Sequence, residues 1–167
     1  ATRAAHGRHY TPIGLARQIW AQCSVALPRA LRTSGAVLDP ACGAGALLLP
    51  VLRERVADAL AVGTPYQDVA DSVTGWDLDE AAVLLANVVL QAELLPLIVR
   101  DKIRPDQSRT LCRVRDGLEA DDTRFAAVVM NPPYGRVRLE RGERDRFAHA
   151  VFGHANLYGL FIAAGLD

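Results

Sequence analysis

The sequence predicts an α/β fold built on a mostly parallel sheet. Three observations carry this. Short β-type runs alternate with helical runs along the chain. Several of the β-type runs are almost wholly apolar, as strands buried on both faces of a parallel sheet are. Four of them end beside a polar side chain, Asp39, Asp77, Asp116 and Asn131, and ligands of such sheets sit at those strand ends. A chain of 167 residues suits one domain with a sizeable core.

The elements follow in order. Thr11 before Pro12 reads as a helix N-cap with proline at the first helical position. Ile13, Ala16, Ile19, Trp20 and Cys23 then recur at helical spacing. Ala36 to Leu38 is a short strand closed by Asp39-Pro40, and Gly43 and Gly45 turn the chain into a helix from about Ala46 to Leu60. Polar, Gly and Pro residues at 63–72 read as a loop. Val73 to Trp76 is a second strand, closed by Asp77. Asp79 caps a helix from Glu80 to about Leu94, which Pro96 ends or restarts. Thr110 to Arg115 alternates as a strand ahead of Asp116-Gly117. Phe125 to Met130 is an unbroken apolar strand ahead of Asn131-Pro132-Pro133-Tyr134. A charged stretch at 136–146 and a helical run from Leu157 to Leu166 complete the chain. No internal repeat and no low-complexity segment interrupts it.

Composition narrows the function. Basic and acidic residues balance at 19 each, so there is no global electrostatic footprint for nucleic acid or membrane. Any such contact is local or lies outside this chain. No stretch approaches about 18 consecutive apolar residues, so no membrane span is expected; nor is a secretory signal. Cys23, Cys42 and Cys112 form no CxxC pair, which suits a reducing, cytoplasmic setting without disulfide or zinc. His6, His9, His149 and His154 have no ligand spacing with Cys or acids, so no metal site is expected. The chain begins at Ala1 and its one methionine is Met130, which reads as a fragment or processed chain.

Three motifs carry chemistry. In Asp39-Pro40-Ala41-Cys42-Gly43-Ala44-Gly45, glycines between strand and helix let a ligand approach the backbone. No Lys-Ser/Thr follows, so it is not a P-loop. Leu48 stands where a dinucleotide fingerprint has its third glycine. A neutral or zwitterionic nucleoside such as S-adenosylmethionine fits better than a pyrophosphate, and an ordinary tight turn is the plainer alternative. Asp77, in Gly75-Trp76-Asp77-Leu78-Asp79, can accept two hydrogen bonds from a ribose diol, or it can serve the turn alone. In Asn131-Pro132-Pro133-Tyr134 two prolines remove donors and stiffen the backbone. The Asn131 side chain and the Pro132 carbonyl are left as acceptors for an exocyclic amino group, and Tyr134 offers a face for stacking a base.

With these motifs the chain resembles amino-group DNA methyltransferases that make N6-methyladenine, of the γ arrangement found in restriction–modification or phage-defence systems. The match runs over about residues 6–167, through His9-Tyr10-Thr11-Pro12, the loop at 39–45 (with Ala44 for the usual serine), Asp77, the tetrapeptide 131–134 and His154-Ala155-Asn156-Leu157-Tyr158-Gly159-Leu160-Phe161. The resemblance implies a Rossmann-like S-adenosylmethionine-dependent methyltransferase fold, a mostly parallel sheet with helices on both faces. The fold is incomplete here, because four strands are fewer than the family's sheet holds. It implies a cofactor site of Tyr10, Thr11, Pro12, Asp39, Pro40, Ala41, Cys42, Gly43, Gly45, Asp77, Leu78, Asp116 and Gly117. Asn131, Pro132, Pro133 and Tyr134 would be catalytic. Thr11, at a helix N-terminus, would meet the cofactor's carboxylate.

The implied organisation is an N-terminal helical segment at 1–34 carrying the Tyr-Thr-Pro element, then a partial catalytic domain at 35–167. On that resemblance, no target-recognition domain is expected within these residues. The expected partners are double-stranded DNA, through regions mostly outside this chain, and specificity or defence-system subunits. The expected reaction is direct methyl transfer to a flipped adenine. Alternatives are amino-methylation of protein glutamine or RNA, or a non-catalytic module that binds cofactor or a partner. The arginines at 136–146, interleaved with Glu140, Glu143 and Asp145, read as a solvated helix face or as phosphate contacts. The family's strand order also leaves the strand ending at Asn131 on an open edge, with Phe125, Val128, Val129 and Met130 exposed for self-association.

Overall fold

A computed structural model describes residues 11–119, 122–139, 141–149 and 155–166. Its helices are α1 (Ile13–Ala26), α2 (Arg29–Ser34), α3 (Leu48–Val62), α4 (Tyr66–Asp71), α5 (Glu80–Arg100), α6 (Arg141–Arg146) and α7 (Leu157–Leu166). Its strands are β1 (Val37–Asp39), β2 (Val73–Asp77), β3 (Cys112–Val114) and β4 (Ala127–Val128). They form one sheet in the order β3-β2-β1-β4, and every pair is parallel. β1 pairs with β2 on one side and with β4 on the other, so the strand order switches direction at β1.

Side chains alternate across the sheet as the pleat requires. Val37, Val73 and Cys112 join the large core with Leu48, Val51 and Leu52 of α3, Ala86, Leu90 and Leu94 of α5, and Ala16 and Trp20 of α1. Leu38 and Trp76 are buried too but lie outside that cluster. The Trp76 ring meets Phe125 edge-on at 6.0 Å, and the Arg115 guanidinium lies 4.2 Å over it. α7 approaches β4 through Gly165, where an added Cβ would stand 2.9 Å from Met130 Cε and 3.5 Å from Val128 Cγ1. Helices therefore cover both faces, as an α/β sheet needs.

Four features depart from the sequence reading. The segment 63–72 contains α4: Pro65 sets the helix entry, and Tyr66, Val69 and Ala70 are buried at i, i+3, i+4 spacing. Six residues are too few to show that period in the sequence. α5 runs through Pro96 to Arg100. The proline removes one backbone bond, but Leu94 and Leu97 on either side of it are fully buried. Arg100 also anchors the last turn on the carbonyls of Ala59 (2.9 Å) and Thr64 (2.5 Å). β4 is only two residues long and pairs with Val37 and Leu38 of β1. β4 is the edge strand, as expected, and among the described residues it pairs with β1 alone, but its side chains are not laid open: Val129 is buried, and Phe125, Val128 and Met130 are half-buried.

The open apolar surface lies on α5 instead, along Leu84, Leu85, Val88, Leu95 and Val99. Length and composition alone would let this helix cross a bilayer. Its opposite face packs in the core, and Asn87 binds β3 there: its Oδ1 accepts from the Leu111 and Cys112 amides, both at 3.0 Å.

The N-terminal ends of β1 and β2 are held together by Arg55 of α3. Its buried guanidinium donates to Ser72 O (2.6 Å) and Gly35 O (2.5 Å), 5.9 Å from the Trp20 ring. Ser72 O also accepts the Val37 amide at 2.9 Å. Arg55→Met keeps much of the volume but leaves the Gly35 carbonyl without this donor. It should cost roughly 2–4 kcal/mol of stability, read as a lower urea midpoint. An unchanged midpoint would show that Arg55 is not what ties these strand starts.

Candidate functional site

The loop after β1 is shaped by the end of β2. Cys42 donates its amide to Trp76 O (2.9 Å), Gly43 donates to Asp77 Oδ2 (2.8 Å), and Gly45 donates to Cys42 O (2.8 Å). Gly43 and Gly45 have φ of 51° and 81°, the left-handed region that favours glycine. Asp77 Oδ1 also accepts the Asp79 amide at 2.9 Å. The acid expected to hold a ribose thus braces the loop, which is the turn reading of Asp77. Asp79 caps α5 as expected, accepting from Ala81 N and Ala82 N. Leu78, between the two acids, is exposed.

At the end of β3, Asp116 Oδ1 accepts the Leu118 amide at 2.9 Å. Gly117 is packed so closely that a Cβ would run into the Pro40 carbonyl oxygen and lie 2.8 Å from Phe161 Cε1. The segments following β3 and β1 thus touch, with α7's phenylalanine beside Gly117.

At the switch in strand order a cleft opens, lined by Thr11, Asp39, Asn131, Leu47 and loop residues 41–44 and 46. Asn131 Nδ2 donates to Thr11 Oγ1 at 3.1 Å, and the Tyr134 hydroxyl donates to Asn131 Oδ1 at 3.4 Å. Thr11 is therefore not the N-cap the sequence suggested. Pro12 occupies the cap position in extended backbone, α1 begins at Ile13, and no side chain caps it. The threonine hydroxyl serves the asparagine instead. Pro132 is buried and Pro133 half-buried, while Tyr134 remains 51% exposed. Tyr10 lies outside the described residues, as do His6, His9, Glu140 and His154.

Asp39 is buried, and its Oδ1 accepts the Ala41 amide at 3.1 Å. Burial pushes its carboxyl up to about 7; the Ala41 bond pulls the other way, and the charge of Asp77 adds to the rise. Cys42 is no nucleophile: its hydrogen bond with Cys112 and its burial both raise the thiol. Among the described residues no group of His, Cys, Asp and Glu could hold a metal.

The cleft gathers Thr11, Asp39, Asn131 and the glycine loop; Asp77, Leu78, Asp116 and Gly117 stand at the neighbouring strand ends instead. Three carboxyl groups along one sheet edge suit a ligand with a cationic end and a diol, and they repel phosphates. A buried acid with a raised proton affinity is a natural seat for an ammonium group. These residues fit S-adenosylmethionine better than a dinucleotide. Of the arginines at 136–146, Arg136, Arg138 and Arg144 are exposed. Arg146 instead donates to Leu118 O and lies 4.8 Å over Phe147, a packing role. The sequence did not reveal the contacts of Phe161 with Gly117 or of Tyr158 with Tyr134, because both depend on where α7 docks.

The model of a family described as N-6 DNA methylase matches residues 1–158. No curated protein sequence matches the chain. The modification subunit of a type I restriction enzyme from Vibrio vulnificus has TM-score 0.67 and 22% identity, over 96% of this chain and 30% of its own. A Listeria monocytogenes protein described as a class I S-adenosylmethionine-dependent methyltransferase has TM-score 0.59 and 21% identity, over 98% of this chain and 45% of its own. The type ISP restriction–modification enzyme LlaBIII, solved bound to DNA, has TM-score 0.62 and 14% identity, over 93% of this chain and 13% of its own. These likenesses are of fold, and the chain spans less than half the length of each.

The raised Asp39 carboxyl has a stability consequence. The folded chain holds a proton up to about pH 7 that the unfolded chain releases near its ordinary value of 3.8. Stability contributed by this group is full below pH 3.8 and is lost as pH rises to 7. Asp39→Asn keeps an acceptor for Ala41 N and removes the titration. Without ligand it should be more stable than the parent above pH 7, by roughly 2–4 kcal/mol, and converge with it near pH 4. Urea unfolding across that range checks this; a gap independent of pH would exclude Asp39 as its source.

Proposed function

The chain belongs to the N-6 DNA methylase family, and from that premise we propose that it methylates the N6 amino group of adenine in double-stranded DNA, using S-adenosylmethionine. The observation that carries this reading is the place of Asn131, which shares one cleft with Thr11, Asp39 and the glycine loop. An acceptor for an amino group thereby adjoins a pocket suited to a cationic nucleoside.

Asp39, Thr11 and the backbone at Gly43 would hold the amino-acid end of the cofactor, Asp77 with Leu78 its ribose, and Asp116 with Gly117 its adenine. When bound, the cofactor supplies a methyl group carried on a positively charged sulfur. The chain's residues do the rest. Asn131 Oδ1 and the Pro132 carbonyl accept hydrogen bonds from the target amino group and set the direction of its lone pair. Thr11 takes a hydrogen bond from Asn131 Nδ2, which fixes the carboxamide so that its oxygen stays the acceptor. Tyr134 stacks on a base that has left the duplex, at a cost of about a few kcal/mol. The rate gain comes from positioning and from electrostatics fixed before the reaction.

Exposed Arg136, Arg138 and Arg144 offer local phosphate contacts. Most of the duplex would be held by regions outside this chain and by specificity or defence-system subunits. The three thiols carry no disulfide, and we place the reaction in the cytoplasm, where they stay reduced.

Labelled-methyl transfer to unmethylated genomic DNA, followed by separation of the nucleosides, tests this reading. The label should appear in N6-methyldeoxyadenosine. Asn131→Ala should lower the rate on the order of 100-fold while calorimetric cofactor affinity stays within about twofold. Label in cytosine, in protein or nowhere, or an Asn131→Ala variant with the parental rate, would overturn it.

A further inference from the structure

Two large aromatic rings stand half exposed against each other beside the cleft. Tyr134 and Tyr158 stack at 5.7 Å between centroids with their planes 9° apart, and they are 51% and 41% exposed. The backbone brings them together. Gly135, with φ of 146°, turns the chain after Tyr134. Arg136 then forms an antiparallel bridge with Asn156, Val137 N donates to Ala155 O (3.1 Å), and Leu157 N donates to Gly135 O (3.0 Å). Asn156 Oδ1 accepts the Tyr158 amide at 3.1 Å. The stretch after the two prolines thus pairs with the stretch ahead of α7, and the pairing delivers Tyr158 onto Tyr134.

Tyr158 does not serve the core. The cluster under α7 consists of Leu139, Phe147, Ala155, Leu160 and Ala163, and Tyr158 is outside it. Its ring is spent on Tyr134, whose hydroxyl is bonded to Asn131.

We propose that Tyr158 is a positioning residue for base recognition: it backs one face of Tyr134 and fixes the plane against which the target base stacks. This rests on the reading of Tyr134 given above. A ring held by a hydroxyl bond alone still rotates about its own axis, whereas a stacked neighbour fixes its plane. An offset aromatic pair shifts an equilibrium about 2- to 12-fold, and that is the size of effect expected.

Tyr158→Phe keeps the stacked ring, and Tyr158→Ala removes it. On unmethylated genomic DNA with saturating cofactor, Tyr158→Ala should lower kcat/KM about 2- to 12-fold. Cofactor affinity should not change, and Tyr158→Phe should stay near the parent. In a Tyr134→Ala background, Tyr158→Ala should cost nothing more, which a merely structural role would not produce. A second measurement needs neither cofactor nor DNA. In protein carrying 3-fluorotyrosine, the Tyr134 fluorine line, assigned with Tyr134→Phe, should move in Tyr158→Ala and stay in place in Tyr158→Phe. An unmoved line, or an equal cost of Tyr158→Ala with and without Tyr134, would overturn the inference while leaving the methylation reading intact. Parental protein that labels no DNA would overturn both.

Discussion

The carboxylate of Asp77 is the constraint from which the rest of the site follows. It accepts the Gly43 amide on one oxygen and the Asp79 amide on the other. Charge-assisted bonds of this kind are about twice as strong as neutral ones. One side chain at the end of β2 thus closes the loop that leaves β1 and sets the entrance to α5. With Cys42 bonded to the Trp76 carbonyl, the loop is pinned at two successive residues. The left-handed turns at Gly43 and Gly45 are the backbone's answer to that pinning, and α3 can begin only after them. The charge of Asp77 also reaches Asp39, whose own carboxyl is already driven toward its neutral form by burial.

The strand order turns this pair into a site. Because β1 has β2 on one side and β4 on the other, Asp116, Asp77, Asp39 and Asn131 follow one another along a single sheet edge. The acids lie on the side of the glycine loop, and the asparagine lies across the switch. Thr11, which precedes α1, joins the two sides by accepting a hydrogen bond from Asn131 while facing the same cleft as Asp39. A ligand seated on the acids would then lie next to Asn131. The stability that Asp39 forgoes above neutral pH is of the kind that binding sites carry, since a buried charge favours the ligand that neutralises it.

Much of this was legible in the sequence, for physical reasons. Strands of a parallel sheet are apolar runs, and Asp39, Asp77 and Asn131 each stop such a run with a polar group. The glycine pair and the double proline mark backbone that side chains or amide donors would obstruct. What stayed hidden depends on tertiary contact. Thr11 meets Asn131 across 120 residues of chain, so its local pattern of Thr before Pro read as a cap. Pro96 carries the local signal of a helix end, and burial of Leu94 and Leu97 overrides it. The Val128 and Met130 side chains, expected to be exposed on the edge strand, are met by α7 at Gly165, a docking no local pattern records. The exposed stripe on α5 has no sequence signature, because nearly all of that helix is apolar and nothing in its sequence separates an inner from an outer face.

The most direct measurement is amide hydrogen exchange at Gly43 and Asp79 in an Asp77→Ala variant of this chain, read beside calorimetric titration with S-adenosylmethionine. If the Asp77 carboxylate organises the site, the two amides lose protection together, the amides of β1 and β2 keep theirs, and cofactor binding weakens by about 1–3 kcal/mol. Parental protection at Gly43 together with parental cofactor affinity would contradict that, and would leave the loop shaped by its own glycines.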